Sequence, residues 1–231
     1  MGIRERQDRE RQAVHEAILD AARDLFTSHG YNNVSIRKIA ERIEYSPAAI
    51  YSYFPSKDDI FFALAEEGFH RLDAHIRAIP VADDPIEDVR AAWWGFYRFS
   101  KLQPEFFNLM FVDRSVPQLT EQWAGLAFVH QLIEHAASRI QRCIDAGLFP
   151  PTVNAEVAMH VLWAALVGPA VIGAGCRLAP GEDPDLLASD VLATTLAGLR
   201  AGVSHAFIPC APDDRPHAGA PTPDGVPSHD A

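Results

Sequence analysis

Two helical signals are compressed into the short stretch between Ser35 and Phe54, and that compression restricts the fold more than anything else in the chain. Ile36, Ile39, Ala40 and Ile43 recur at i, i+3, i+4 and i+7, the single buried face of a short helix. Ser35 stands at the N-cap position, and Val34 is placed to staple onto Ile39. Glu44-Tyr45 then make a turn, and Ser46-Pro47 open a new helix. Serine caps the orphan amides there, and proline occupies a first position whose N–H would have had no partner. Tyr45 and Ile50 form a second candidate staple, and Pro55 stops the segment. Two short helices joined this tightly, after a third, are a helix-turn-helix.

The helix before them is marked by Val14, Ile18, Ala21 and Leu25, and Gly30 ends it with Tyr31 folding back on Phe26. Ser56-Lys57-Asp58-Asp59 opens a fourth helix with a capping-box pattern. Longer helices are predicted over about 57–79, from Asp84-Pro85 (a capping box with Glu87) to Gln103, and over 104–111. Others are predicted over 117–147, from Asn154 to Gly173, and from Asp183-Pro184 to near Ala206. No hairpin signal or internal repeat interrupts them. The expected fold is all-α, with an N-terminal three-helix helix-turn-helix domain over residues 1–56. A larger C-terminal helical ligand-binding and dimerisation domain over 57–207 would follow. Residues 208–231 hold six prolines in 24 residues with few apolar side chains, and read as a disordered tail.

Net charge is −11, an awkward value for a DNA binder until it is divided along the chain. Residues 1–60 hold nine Lys/Arg against ten Asp/Glu, so nearly all the excess acid lies beyond them. Arg4, Arg6, Arg9 and Arg11 cluster at the start, interleaved with Glu5, Asp8 and Glu10, and suit either DNA or a solvated face. The charged N-terminus does not read as a secretory signal, and no apolar run reads as membrane-spanning. Three widely spaced cysteines fit a reducing cytoplasm better than a disulfide framework.

The run Ala48-Ala49-Ile50-Tyr51-Ser52-Tyr53-Phe54, followed by Lys57, resembles the DNA-binding signature of the TetR family of regulators. The match extends from Ile18 to Leu64 in residue type and spacing, and beyond residue 65 it is architectural only. The resemblance implies a dimer on a two-fold-symmetric operator in double-stranded DNA. It implies that Ser35, Tyr51, Tyr53 and Lys57 hold phosphates and that Arg37 reaches a base edge. Ser46, Pro47, Ala48, Ala49 and Ser52 complete the interface on the third helix, where alanine can touch thymine methyls. Tyr53 suits core packing equally well.

Aromatic residues crowd the stretch after residue 91. Trp93, Trp94, Tyr97, Phe107, Met110 and Phe111, with Trp123, His130 and Trp163, are the candidates for an apolar effector cavity, though each alone would suit a plain core. Arg98, Lys101, Arg114, Arg139 and Arg142 are the basic residues nearby, and several are expected to face solvent. The last two long helices are rich in small and aliphatic residues: Ala158, Val161, Leu162, Ala164, Ala165, Val167 and Gly168, then Leu187, Val191, Leu192, Thr195, Leu196 and Leu199. The resemblance implies that they pair across a two-fold axis in a homodimer, and intramolecular packing alone is the alternative. His70/His75 and His130/His135 are spaced by five, poorly placed for a metal on one helix face, and no cofactor or metal is expected. No phosphate loop or nucleophile elbow supports an enzyme. The expected function is a repressor released by a small apolar molecule. A constitutive DNA binder and a helical enzyme with a chance motif are the alternatives.

Overall fold

The structure is a computed structural model and describes residues 2–113 and 127–202. Among them are nine α-helices: α1 Ile3–His29, α2 Ile36–Arg42, α3 Pro47–Tyr51, α4 Lys57–Arg77, α5 Pro85–Leu102, α6 Pro104–Phe111, α7 Ala127–Asp145, α8 Ala155–Ala174 and α9 Pro184–Arg200. A 3₁₀ turn, Tyr31–Asn33, joins α1 to α2. The fold is all-α, as its punctuation indicates.

Local chemistry sets most helix starts. Ser35, Ser46, Ser56 and Asn154 each accept a hydrogen bond from the amide three residues on. Pro47, Pro85, Pro104 and Pro184 lie in the first turns of their helices. Two boundaries differ from expectation. Asp84 caps α5 through the amide of Ile86 at 2.8 Å, and Glu87 turns to Arg90 at 3.2 Å, so no capping box forms. The last helix stops at Arg200, short of Ala206, because Gly202 follows in the positive-φ region. The predicted start of α7 at Pro117, and the tail from 208, lie outside the described residues.

Inside the helix-turn-helix, the Tyr45 amide donates to the Ala40 carbonyl at 2.9 Å, and Glu44 sits at φ 60. A non-glycine residue there bears a modest steric strain. The ring of Tyr45 stays 45% exposed, so it does not close the expected staple. The core runs unbroken from Ile18 through Phe61 and Phe96 to Leu199, linking the DNA-binding end to the larger helical body. Helix α6 touches both ends. Its Phe106 lies 5.4 Å from the Arg23 guanidinium of α1 and 4.9 Å from that of Arg71 on α4.

Helix α8 corrects one reading of the sequence. It is long and apolar enough to cross a membrane, with a hydropathy of 1.8, because His160, Gly168 and Pro169 interrupt the apolar pattern without adding charge. Its inner side, Ala158, Leu162 and Leu166, is packed in the core, while most of the rest of the helix is only partly covered.

Candidate DNA interface and ligand cavity

Helix α3 is held from below by Ile50 and Phe54, at 0% and 5% exposure. That anchorage leaves Pro47, Ala48, Tyr51 and Ser52 exposed, with Ala49 half-buried beside them. Tyr51 is 55% exposed, a large ring with nothing in the protein to cover it. Ser35 and Ser46 are exposed while capping α2 and α3, and the Ser52 hydroxyl donates back to the Ala49 carbonyl at 2.6 Å. Arg37 is exposed and paired with Glu41 at 2.8 Å, which raises its pKa. A surface pair of this kind is screened by solvent and yields readily to a stronger partner. Tyr53 is half-buried against the core, with the Arg11 guanidinium 5.8 Å from its ring.

Lys57, for which the resemblance implies a phosphate contact, is also engaged within the protein. Its ammonium donates to the carbonyls of Tyr31 at 3.0 Å and Val34 at 3.1 Å, and lies 3.9 Å from the Tyr31 ring centroid. Burial lowers its pKa. The Tyr31 hydroxyl donates to Asp58, and burial followed by that bond raises the tyrosine pKa. Lys57 therefore fastens the first turn of α4 to the segment between α1 and α2.

A cavity of about 350 Å³ opens in the larger helical body. That volume suits a small ligand. Helix α4 supplies Phe69, Leu72 and Ile76 to its wall, α5 supplies Ala92, Trp93 and Phe96, and α6 supplies Met110 and Phe111. Val129, Leu132, Ile133, His135, Ala136 and Arg139 come from α7, and Met159, His160 and Trp163 from α8. Of the residues singled out from sequence, Trp93, Met110, Phe111 and Trp163 line this space. Trp94, Tyr97, Phe107 and His130 are not among its lining, and Trp123 lies outside the described residues. Trp94 stacks on Tyr97 at 5.1 Å, and the Tyr97 hydroxyl donates to Asp185 at 2.7 Å, away from the cavity. Phe107 is buried between Phe96 and Phe111, and His130 is exposed.

One end of the wall is polar. Asp88, fully buried, accepts from Arg139 at 2.9 Å, Arg142 at 2.8 Å and the Ala82 amide at 3.2 Å. Arg139 is 5% exposed, whereas Arg98 and Lys101 face solvent, as several of the basic residues here are expected to do. It falls in the stripe Leu132, Ala136, Arg139, Cys143, at i, i+4, i+7 and i+11, a spacing that marks a buried face. His135 is half-buried on the same side, its pKa lowered by burial and then by Arg139 and Arg77.

An exposed third helix on a rigid three-helix base, carried by an all-helical body with an internal cavity, defines a helix-turn-helix DNA-binding regulator. The sequence pattern of bacterial regulatory proteins of the tetR family matches residues 18–64. An HTH-type transcriptional repressor of Mycobacterium tuberculosis is 30% identical over 184 residues, covering 77% of this chain and 88% of its own. The HTH-type transcriptional repressor AcnR of Corynebacterium diphtheriae is 37% identical over 174 residues, covering 74% and 84%. The chain belongs to the TetR family and is a DNA-binding transcriptional regulator. Its fold is shared with a tetR-family regulator from Rhodococcus, at a TM-score of 0.64 and 21% identity over 80% of this chain and 96% of that one. The fatty acid degradation regulator FadR of Bacillus halodurans superposes at 0.65 with 20% identity, over 80% and 96%.

Proposed function

We propose that this regulator is a cytoplasmic homodimeric repressor that a small, mostly apolar effector releases from a two-fold-symmetric operator. In this reading residues 1–56 bind DNA, 57–207 bind the effector and pair the protomers, and 208–231 form a tail. The observation that carries it is the aromatic-walled cavity, because α4 contributes to that wall and begins at Lys57, fastened to the DNA-binding end. A ligand releases DNA only by preferring the conformer whose recognition helices are wrongly spaced. A hundredfold preference corresponds to about 2.7 kcal/mol, within the usual allosteric range. Reciprocity then requires operator DNA to weaken effector binding by the same factor. Calorimetric titration of a cavity ligand with and without operator tests this, and equal affinities would sink it.

The proposed DNA contacts are Ser35, Arg37, Ser46, Pro47, Ala48, Ala49, Tyr51, Ser52, Tyr53 and Lys57. Arg37→Ala is expected to cost about 1–3 kcal/mol on the operator and to relax base preference, whereas Tyr51→Phe should weaken operator and random DNA alike. Gel-shift titrations on both DNAs at one salt concentration separate the two. An equal loss for Arg37→Ala on each would remove its base-reading role.

A second copy of this chain suits the outer side of α8 and α9. Only 33% of the apolar stretch of α8 is buried within the protomer. Ala164 and Gly168 lie one turn apart there, and a Cβ built at Gly168 meets nothing within 4 Å. Ala193 and Ala197 are exposed on α9. Leu192, Leu196 and Leu199 are instead buried within the protomer, so Leu196→Glu would report on folding and not on pairing. Gly168→Leu has room in the protomer but obstructs close helix approach. It is expected to raise the dimer dissociation constant by about tenfold or more, a difference of about 1.4 kcal/mol, with little change in helicity. Sedimentation at graded concentrations reads this, and an unchanged dimer would place the interface elsewhere.

A further inference from the structure

Two buried nitrogens without a hydrogen-bond partner belong to residues that line the cavity: Arg139 Nε and His135 Nε2. They lie four residues apart on α7, hence on one side of it. The acceptors around them are already in use. Asp88 from α5 is shared by Arg139 and Arg142, and its oxygens are already occupied by both guanidiniums and the Ala82 amide. On α4, Asp73 and Arg77 offset each other at 2.7 Å. Asp73 Oδ1 and His75 Nε2 are also buried and unpartnered, but neither residue lines the cavity. Arg142 reaches Asp88 from a position 41% exposed, so at this end of the cavity it is Arg139 that keeps an unused buried guanidinium donor, beside His135. A buried donor on a charged group is costly to leave unpaired and makes a strong bond to an anionic acceptor.

We propose, resting on the effector reading above, that the cavity takes an amphiphile: an apolar tail among the aromatic rings and a carboxylate head at Arg139 and His135. Arg139 Nε–H donates to the carboxylate, and His135, in the tautomer protonated at Nε2, donates beside it. The head group supplies the acceptor that these two donors lack, and the tail lies along a wall of Phe69, Trp93, Phe96, Phe111 and Trp163. The class expected is a carboxylic acid with a linear or aromatic hydrocarbon body. Neutral molecules of the same size should bind more weakly.

The test compares decanoate with decanol, each below its micellar concentration, on the full chain. Calorimetry reads binding and operator gel shifts read release. The expected result is a preference for decanoate of about tenfold to a hundredfold, as one or two hydrogen bonds to a charged group would give. His135→Leu and Arg139→Gln should each reduce that preference by weakening decanoate more than decanol. Thermal melting checks that each variant folds, and His135→Leu, which leaves the Asp88 cluster intact, carries the test if Arg139→Gln does not fold. Equal affinities, no binding of either probe, or an unchanged preference in a folded variant would overturn the assignment. Decanoate preference without operator release would instead sink the regulatory reading alone. Release by decanol as readily as by decanoate would sink the head-group site alone.

Discussion

Replacing Asp88 with alanine is expected to lower the unfolding free energy by about 3–5 kcal/mol, the usual consequence of removing one partner from a buried ion pair. Asp88 is fully buried, and Arg139 is nearly so. With the carboxylate gone, Arg139 holds a charge that no solvent reaches, whereas Arg142, at 41% exposure, can turn outward. The Ala82 amide loses its acceptor as well. Arg142→Ala should therefore be milder, since Arg139 still neutralises Asp88. Urea unfolding followed by circular dichroism gives both values from midpoint and slope. An Asp88→Ala loss under about 1 kcal/mol would mean that the cluster is hydrated in solution.

Gly68→Val is expected to suppress the response to effector while the operator is still bound. Gly68 on α4 faces α6 at close range. A Cβ placed there comes within 2.5 Å of Met110 Sδ and 3.0 Å of Phe106 Cδ1. Met110 lines the cavity, so that space is the vacant direction in which its thioether can retreat. The substitution then shrinks the cavity from behind. Overpacking should also cost about 1–3 kcal/mol of stability, partly offset by removing glycine from a helix interior. Gly68→Ala should show the same effect more weakly. Effector titrations monitored by operator release give the readout, and a full response in Gly68→Val would show that Met110 yields in another direction.

What was readable in the sequence follows from how local each cause is. Ser46 ahead of Pro47, or Asn154 ahead of a run of helix formers, acts within one turn, and the boundary needs no tertiary neighbour. The same holds for the recognition motif, where buried Ile50 and exposed Tyr51 are neighbours at the end of α3 and buried Phe54 follows three residues on. The cavity is different. Trp93 and Trp94 are adjacent in sequence and about 100° apart around α5, so one lines the cavity and the other stacks on Tyr97. Which of the two does so depends on helices far along the chain. Arg139 was legible in part, since it interrupts an apolar stripe on α7. Its partner Asp88 lies 51 residues away, and only the packing of α5 against α7 joins them. Lys57 has a role that the motif does not reveal. Its motif points to DNA, but the carbonyls that hold it belong to a turn 23 and 26 residues earlier, whose shape is not visible from the motif.

The fastening of Lys57 has a mechanical consequence. Because its ammonium is bonded to two carbonyls of the preceding turn, the DNA-reading end cannot swivel freely on α4 and must travel with it. Helix α4 has 21 residues, or about 31 Å at roughly 1.5 Å each. A tilt of about 5° at the end that borders the cavity therefore sweeps the far end by roughly 2.7 Å. In a symmetric pair the two sweeps add to about 5 Å, against a groove-to-groove repeat of roughly 34 Å. In the effector reading proposed above, the helix would work as an amplifier: a shift of side-chain size at one end would become a register error at the other. Cutting the fastening, as in Lys57→Met, would leave the amplifier turning without its pointer.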